Sequence, residues 1–183
     1  MTKTVRVVLL AALTSALLGI GIGCSQRDKN PDVKSAVERA LSDSGLSDVK
    51  VSQDRDKGVI TLSGTVQSDN DKKRAEDTAK TVAESYVLAN EIGVRPAGFE
   101  SEAKKIDSNL DDAIEKEFEA ARVSKQLNKG VKGEAKNGVL TLTGEVNSEK
   151  KRKDLETLAS SVPNVKQVVN EVQVKGQKAT SRG

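Results

Sequence analysis

The chain has 183 residues, of which 31% are charged, 36% hydrophobic and only 2% aromatic. It contains no His and a single Cys, so an internal disulfide is excluded and the commonest general base and metal ligand is absent. The formal net charge is +3, and it falls to +1 when Lys3 and Arg6 are set aside. A general nucleic-acid binder would carry a marked basic excess, so that class is excluded.

The first 23 residues are predicted to be a removable export signal. Lys3 and Arg6 form a positive start, and an uncharged run rich in Leu, Val, Ile and Ala extends from Val7 to Gly23. The run is shorter than the roughly 20 residues that a membrane span usually needs. An uncleaved anchor and an ordinary signal cut nearby are the two alternatives.

The stretch Gly21-Ile22-Gly23-Cys24 resembles a bacterial lipobox, in which a small residue precedes an acylated Cys. The resemblance implies that Cys24 is lipidated and anchors the chain to a membrane, with residues 24–30 as lipidated N-terminus and tether. It also accounts for a lone Cys in an exported chain. The lipobox usually has Leu where this chain has Gly21. Ser25 is similar to the residue found in lipoproteins sent to the outer membrane.

The remaining chain contains an internal repeat. Gly58–Val66 (GVITLSGTV) matches Gly138–Val146 (GVLTLTGEV), and the match continues without a gap to Val94 and Val174. In each copy apolar and polar residues alternate, which indicates a half-buried strand. Such agreement over a long span predicts two copies of one folding unit.

Each unit is predicted to run helix, strand, strand, helix, strand. The first helix is expected to begin at Asn30-Pro31-Asp32, and Ser68 and Ser148 are predicted N-caps of the later helices. Two helices can cover one face of a three-stranded mixed sheet, so the predicted class is α+β. We expect a helix to pack directly over Gly64 and Gly144, which lie inside strands. The predicted boundaries are 31–96 for the first unit, 97–107 for a linker, 108–175 for the second unit and 176–183 for a disordered tail.

These units resemble the BON domain family (bacterial OsmY and nodulation). The resemblance rests on a G-V-x-x-L-x-G-x-V strand, an amphipathic helix and a closing V-x-N-x-[hydrophobic]-x-V strand, and it extends from about Pro31 to Lys175. Before the closing strand the family usually has Gly-Val, and both copies lack this Gly, having Ser85-Tyr86-Val87 and Pro163-Asn164-Val165 instead. A lipobox followed by two such units resembles the dual-BON envelope lipoproteins. That resemblance implies phospholipid binding and a role in envelope integrity or osmotic-stress tolerance.

One basic run is a candidate binding site for anionic phospholipid. It is formed by Lys150, Lys151, Arg152 and Lys153, and four more lysines precede it, namely Lys125, Lys129, Lys132 and Lys136. Lys and Arg near an anionic bilayer contribute about 1 kcal/mol each. The alternative is a solvated helix face without a ligand.

No catalytic, cofactor or metal site is predicted. Asp69-Asn70-Asp71 lacks the Gly and Glu that complete a calcium loop, and Asp54 and Asp56 fall in a predicted hairpin turn. The expected partners are a membrane through lipidated Cys24, anionic phospholipid and envelope proteins, with no nucleic acid. Two rival functions stay open, namely a periplasmic adaptor that docks an envelope machine and a stress-induced stabiliser without a ligand. Because each unit is small, we expect the two to pack together.

Overall fold

The computed structural model describes residues 30–127 and 129–176. The predicted signal, the predicted lipidation at Cys24 and all but Gly176 of the predicted tail lie outside these residues. The first repeat contains two helices and five short strands. These are α1 (Lys34–Asp43), β1 (Lys50–Asp54), β2 (Val59–Ser63), β3 (Thr65–Val66), α2 (Asp69–Val82), β4 (Val87–Asn90) and β5 (Gly93–Val94).

The second repeat has the same order of helices and strands, and its middle strand is continuous. Its elements are α3 (Glu100–Ser124), β6 (Val131–Lys136), β7 (Val139–Val146), α4 (Glu149–Ser160), β8 (Gln167–Asn170) and β9 (Gln173–Val174). In both repeats the first two strands pair antiparallel and the closing strand runs parallel to the middle one. The predicted α+β class and the three-stranded mixed sheet are therefore confirmed.

Each repeat buries its own apolar core between its helices and one sheet face. In the first repeat, Val37 and Leu41 of α1 and Ala75 and Ala79 of α2 pack on the inward side chains of the sheet. In the second repeat, the ring of Phe118 in α3 packs against β6. A Cβ on Gly133 would lie 2.7 Å from the Phe118 ring, so this position has room only for glycine. The chain has no Trp, so the second core is filled by the Phe118 ring and by many aliphatic side chains.

The expectation that a helix covers Gly64 and Gly144 is wrong. Both have positive φ, +110° and +127°, and a Cβ at either would meet the backbone that precedes the first strand of the same repeat. That Cβ would lie 2.8 Å from Asp48 O in one case and 2.2 Å from Gly130 O in the other. Glycine is required here because the chain twists between two stretches of the middle strand and a neighbouring carbonyl approaches closely.

Two predicted helix starts are also wrong. α1 begins at Lys34. The backbone amides of Val33 and Lys34 have no acceptor within the helix, and both donate to the side-chain oxygen of Gln53 in β1. α3 begins at Glu100, inside the stretch that was expected to be a linker. Acidic residues in its first turn favour this start, and Arg95 pairs with Asp107 to hold the early turns against β5.

The two repeats pack against each other, as their small size predicts. A third apolar cluster joins the uncovered faces of the two sheets, with members Val59, Val87, Ala89, Val139 and Val169. Two ion pairs flank this cluster, Lys57 Nζ to Glu171 at 2.6 Å and Lys136 Nζ to Glu91 at 3.0 Å. Glu91 and Glu171 are equivalent in the repeat, and each pairs with a lysine beside the hairpin turn of the other repeat.

Gln167 of β8 covers the outer edge of β4. Val87 N and Glu91 N donate toward β2, so Leu88 O and Asn90 N face outward. The Gln167 carboxamide donates to Leu88 O and accepts from Asn90 N at 3.1 Å, in the manner of a peptide unit of a neighbouring strand. An otherwise open sheet edge is thereby closed by a side chain of the other repeat.

Replacing Gln167 with Ala is expected to speed hydrogen exchange at the Asn90 amide about fivefold, because a hydrogen bond contributes about 1 kcal/mol and a factor of ten corresponds to about 1.4 kcal/mol. The measurement is amide exchange followed by NMR. Gln173→Ala, an exposed change on β9 of the same repeat, is the matched control. Unchanged protection of Asn90 in the Gln167 variant would show that the side chain does not close this edge.

Candidate functional site

Three lysines of the predicted basic run are exposed at the start of α4. Ser148 caps this helix by accepting from Lys151 N at 3.4 Å, which confirms the predicted N-cap. Lys150, Lys151 and Lys153 all face solvent, and the Lys150 side chain is 88% exposed with its ammonium 4.0 Å from Asp154. The structure therefore places three positive charges together on one accessible surface.

Arg152 does not belong to this exposed group. Its side chain is only 16% exposed and turns toward the sheet. Nε donates to Val172 O and Nη2 to Asn170 O, each at 3.0 Å. These carbonyls lie where the chain passes from β8 to β9, so Arg152 holds the closing strand to α4.

Lys72 has the same position in the first repeat. Its Nζ donates to Ile92 O at 2.7 Å, at the corresponding passage from β4 to β5. Burial lowers the pKa of Lys72, and the nearby charge of Lys166 lowers it further. The neighbouring cations of α2 are paired with acids, Lys73 with Asp77 and Arg74 with Asp71. The first repeat thus offers less free positive charge at the start of its second helix.

An asparagine in each closing strand forms a polar network that the sequence reasoning missed. Asn90 Nδ2 donates to Glu76 at 3.0 Å, and Asn170 Nδ2 donates to Glu156 at 2.9 Å. Each amide oxygen also accepts from the backbone N two residues later. The pairing of Asn90-Glu91 with Asn170-Glu171 in the repeat was the available signal, because an amide inside a strand needs buried partners.

The pKa of Glu76 indicates which charge state this network favours. Burial raises the pKa of its carboxyl, but the hydrogen bonds from Lys80 and Asn90 outweigh burial, so the pKa lies below its usual value. The carboxylate is therefore the form that the folded repeat prefers. The network is a structural clamp between α2 and β4.

Asp54 and Asp56 lie in the turn between β1 and β2, whereas Asp69 and Asp71 lie in the first turn of α2. Asp54 Oδ1 accepts from Asp56 N at 3.0 Å and from Lys57 N at 2.9 Å, as expected of a hairpin turn. Within residues 30–127 and 129–176, no group of three or more acidic, His or Cys side chains is placed to hold a metal ion. No helix in those ranges is both long and apolar enough to cross a membrane.

A groove of about 380 Å³ lies in the first repeat beside β3. Its lining includes Leu46, Arg74 and Arg95, together with Glu100 from the start of α3. Both arginines are already paired, with Asp71 and Asp107. The groove therefore offers an anionic ligand less than the exposed start of α4 does.

Two copies of one α-β-β-α-β unit, packed through their sheets, define a tandem-repeat module of the α+β class. The chain belongs to the BON domain family, whose model matches residues 29–96 and 106–176. It is 30% identical over 146 residues to Osmotically-inducible protein Y of Escherichia coli (strain K12), which covers 78% of this chain and 71% of that protein.

Solved structures give a weaker likeness. Two structures of CdsD, a structural protein of the type III secretion system of Chlamydia trachomatis, match 78% and 79% of this chain. Their TM-scores are 0.31 and 0.35, at 16% and 12% identity, and the match covers 65% and 92% of those chains.

Proposed function

We propose that this chain is a non-enzymatic envelope lipoprotein that binds anionic phospholipid and supports the envelope under osmotic stress. The observation that carries the lipid part is the exposed group of Lys150, Lys151 and Lys153 at the start of α4. The stress part is supported by the BON family and by the name of the relative, which describes induction by osmotic change. The periplasm is the compartment that fits an export signal followed by a lipobox-like stretch.

The membrane anchor in this proposal is Cys24. Its support is the charge pattern of the first 23 residues, the lipobox-like Gly21–Cys24 stretch and the lack of any other Cys. Mass spectrometry of the protein extracted from bacterial membranes should find acyl chains on Cys24. A chain cut elsewhere, with an unmodified Cys24, would contradict the anchor. Ser25 favours the outer membrane in a bacterium that has two membranes.

The affinity that three lysines supply is large enough to measure. At about 1 kcal/mol for each charge near an anionic surface, they contribute about 3 kcal/mol, or roughly a hundredfold in affinity. This attraction acts within a Debye length, about 10 Å at 0.1 M salt, so it weakens as salt rises. Arg152 is left out of this sum because its guanidinium is bonded to backbone carbonyls.

The test uses the chain from Ser25 onward and vesicles with or without anionic lipid. Changing Lys150, Lys151 and Lys153 together to Gln is expected to weaken binding to anionic vesicles by about tenfold to a hundredfold in a co-sedimentation assay. The matched control changes three exposed lysines of α3 to Gln and leaves Arg152 intact. These control positions are Lys104, Lys105 and Lys116. Equal loss in both variants would show a general charge effect and reject the α4 site.

A second candidate function is a periplasmic adaptor that docks an envelope machine. It is favoured by two large apolar side chains at the start of α3, Phe99 and Ile106, which are 64% and 65% exposed. They are seven residues apart and so lie on nearly the same side of the helix. Crosslinking in intact envelopes distinguishes the candidates. One saturable protein partner that is lost when Phe99 and Ile106 become Ser, with vesicle binding unchanged, would favour the adaptor.

A further inference from the structure

The chain that enters the first repeat is fastened at one end of it. Asn30 and Arg55 bond each other twice, Arg55 Nε to Asn30 O at 2.7 Å and Asn30 Nδ2 to Arg55 O at 3.0 Å. Gln53 Nε2 donates to Pro31 O at 2.8 Å, and the Tyr86 hydroxyl donates to the same carbonyl. These contacts fix where the preceding chain leaves the folded repeat, beside the turn between β1 and β2.

The distance from that point to Cys24 is limited by covalent geometry. Six residue steps separate Cys24 from Asn30, and a fully extended chain advances at most about 3.6 Å for each residue, which gives about 20 Å. If Cys24 is held in a membrane, the turn between β1 and β2 must stay within that distance of the bilayer surface. The end of the first repeat that lies away from this turn is not limited to that distance.

A continuous path of contacts links this turn to the start of α4 in the other repeat. Lys57, two residues after Arg55, forms the 2.6 Å ion pair with Glu171. The residues on either side of Glu171 supply the two carbonyls that Arg152 binds. Arg152 stands between Lys151 and Lys153 along α4, so the exposed group of lysines is close to the point where the anchored chain enters.

The other ion pair lies farther along the sheet. β2 carries the chain away from the first turn over five residues, about 16 Å at the rise of a strand. Beside the end of β2, where Leu62 pairs with Asn90, Glu91 meets Lys136, the last residue of β6. The two repeats therefore run in opposite directions, and each end of the molecule contains parts of both.

We propose that the end formed by the β1–β2 turn and the start of α4 is the surface that faces the lipid bilayer. In this arrangement Arg55 and Gln53 fix the exit of the tether, and the Lys57–Glu171 pair places Lys150, Lys151 and Lys153 beside it. The proposal rests on the acylation of Cys24 proposed above. It gives the duplication a role, because one repeat receives the anchor and the other presents its charges at the same end.

The test compares two equivalent positions, Asn147 and Gln67, which are 80 residues apart and both exposed. Each is changed to Cys in the full acylated chain, where the thioether at Cys24 leaves the new thiol as the only free one. The protein is placed in phosphatidylglycerol–phosphatidylcholine vesicles that contain nitroxide-headgroup lipid, and a fluorophore is attached. We expect the label at 147 to be quenched at least twofold more than the label at 67.

Equal or reversed quenching, in protein whose acylation is verified by mass spectrometry, would overturn the orientation and leave the anchor standing. An unacylated Cys24 would overturn both. A further pair of variants tests the ion pair. Lys57→Glu sets two negative charges together and should reduce the contrast between the labels, and adding Glu171→Lys should restore it. A contrast unchanged by Lys57→Glu would remove this pair from the positioning of α4.

Discussion

Replacing Gly144 with Ala is expected to lower the free energy of unfolding by about 4 kcal/mol. A Cβ there would lie 2.2 Å from Gly130 O, far inside contact distance, and the backbone φ of +127° is one that an L residue rarely adopts. Backbone strain of this kind costs about 1–3 kcal/mol, and forcing atoms into a packed site costs a similar amount. Urea unfolding of the chain from Ser25 onward measures the loss.

Two further glycines separate the causes of that loss. Gly64→Ala is expected to cost about 3 kcal/mol, because the equivalent Cβ would lie 2.8 Å from Asp48 O and can be relieved by a smaller shift. Gly45 has a φ of +73° and nothing within 4 Å of a Cβ, so Gly45→Ala should cost about 1 kcal/mol of backbone strain alone. Equal losses in all three variants would show that close approach does not matter.

The alternating strands and the repeat could be predicted because they are local in sequence. Apolar residues at every second position in Gly58–Val66 and Gly138–Val146 are enough to indicate strands, and their recurrence indicates two copies. The role of Gly64 and Gly144 could not be assigned in the same way. The carbonyl that each must admit belongs to a segment about 15 residues earlier, and strand pairing alone brings it there.

The start of α3 was missed for a related reason. Residues 97–107 contain Gly98 and many charges, which are typical of a linker, yet the helix begins at Glu100. The ion pair from Arg95 to Asp107 supplies a contact between repeats that no local pattern contains. The same holds for Gln167, whose carboxamide reaches the edge of β4 only after both repeats have folded.

The candidate site was predicted in outline and differs in one residue. The sequence shows four consecutive cations, but a helix turns about 100° for each residue, so four in a row cannot all face one way. Arg152 lies three residues before the buried Leu155, and Lys72 lies three before the buried Ala75. A cation at the same place in both copies was the signal for a shared structural role, whereas Lys150, Lys151 and Lys153 remain at the surface.

Replacing Asn90 with Leu, which has a similar size, is expected to cost about 3 kcal/mol in the free energy of unfolding. The change removes three hydrogen bonds of the Asn90 side chain. Its amide nitrogen no longer donates to Lys72 O and Glu76, and its amide oxygen no longer accepts from Ile92 N. Each buried polar group without a partner costs about 1–3 kcal/mol. Asn70→Leu, an exposed change on α2, should cost less than about 0.5 kcal/mol in the same urea titration.

Asn90→Asp tests the network through its pH dependence. In the unaltered chain the pKa of Glu76 is lowered by folding, so its contribution to stability is present above the ordinary Glu value and is lost as pH falls through the folded value. A carboxylate at position 90 would face Glu76, and like charges raise the pKa of one of the two. The folded variant then binds more protons than the unfolded one, so its stability should rise as pH falls from about 7 toward 5.

Over that range the Glu76 contribution in the unaltered chain stays fully present, so this network leaves its stability unchanged while the stability of the variant rises. Urea midpoints measured at several pH values decide the matter, because the sign of the slope does not depend on the size of the initial loss. Parallel slopes would mean that Glu76 and residue 90 do not interact as the structure places them. A stability that rises toward pH 5 in the variant alone would show that the asparagine in the closing strand acts by donating to a charged carboxylate, which neither Asp nor Leu can do at neutral pH.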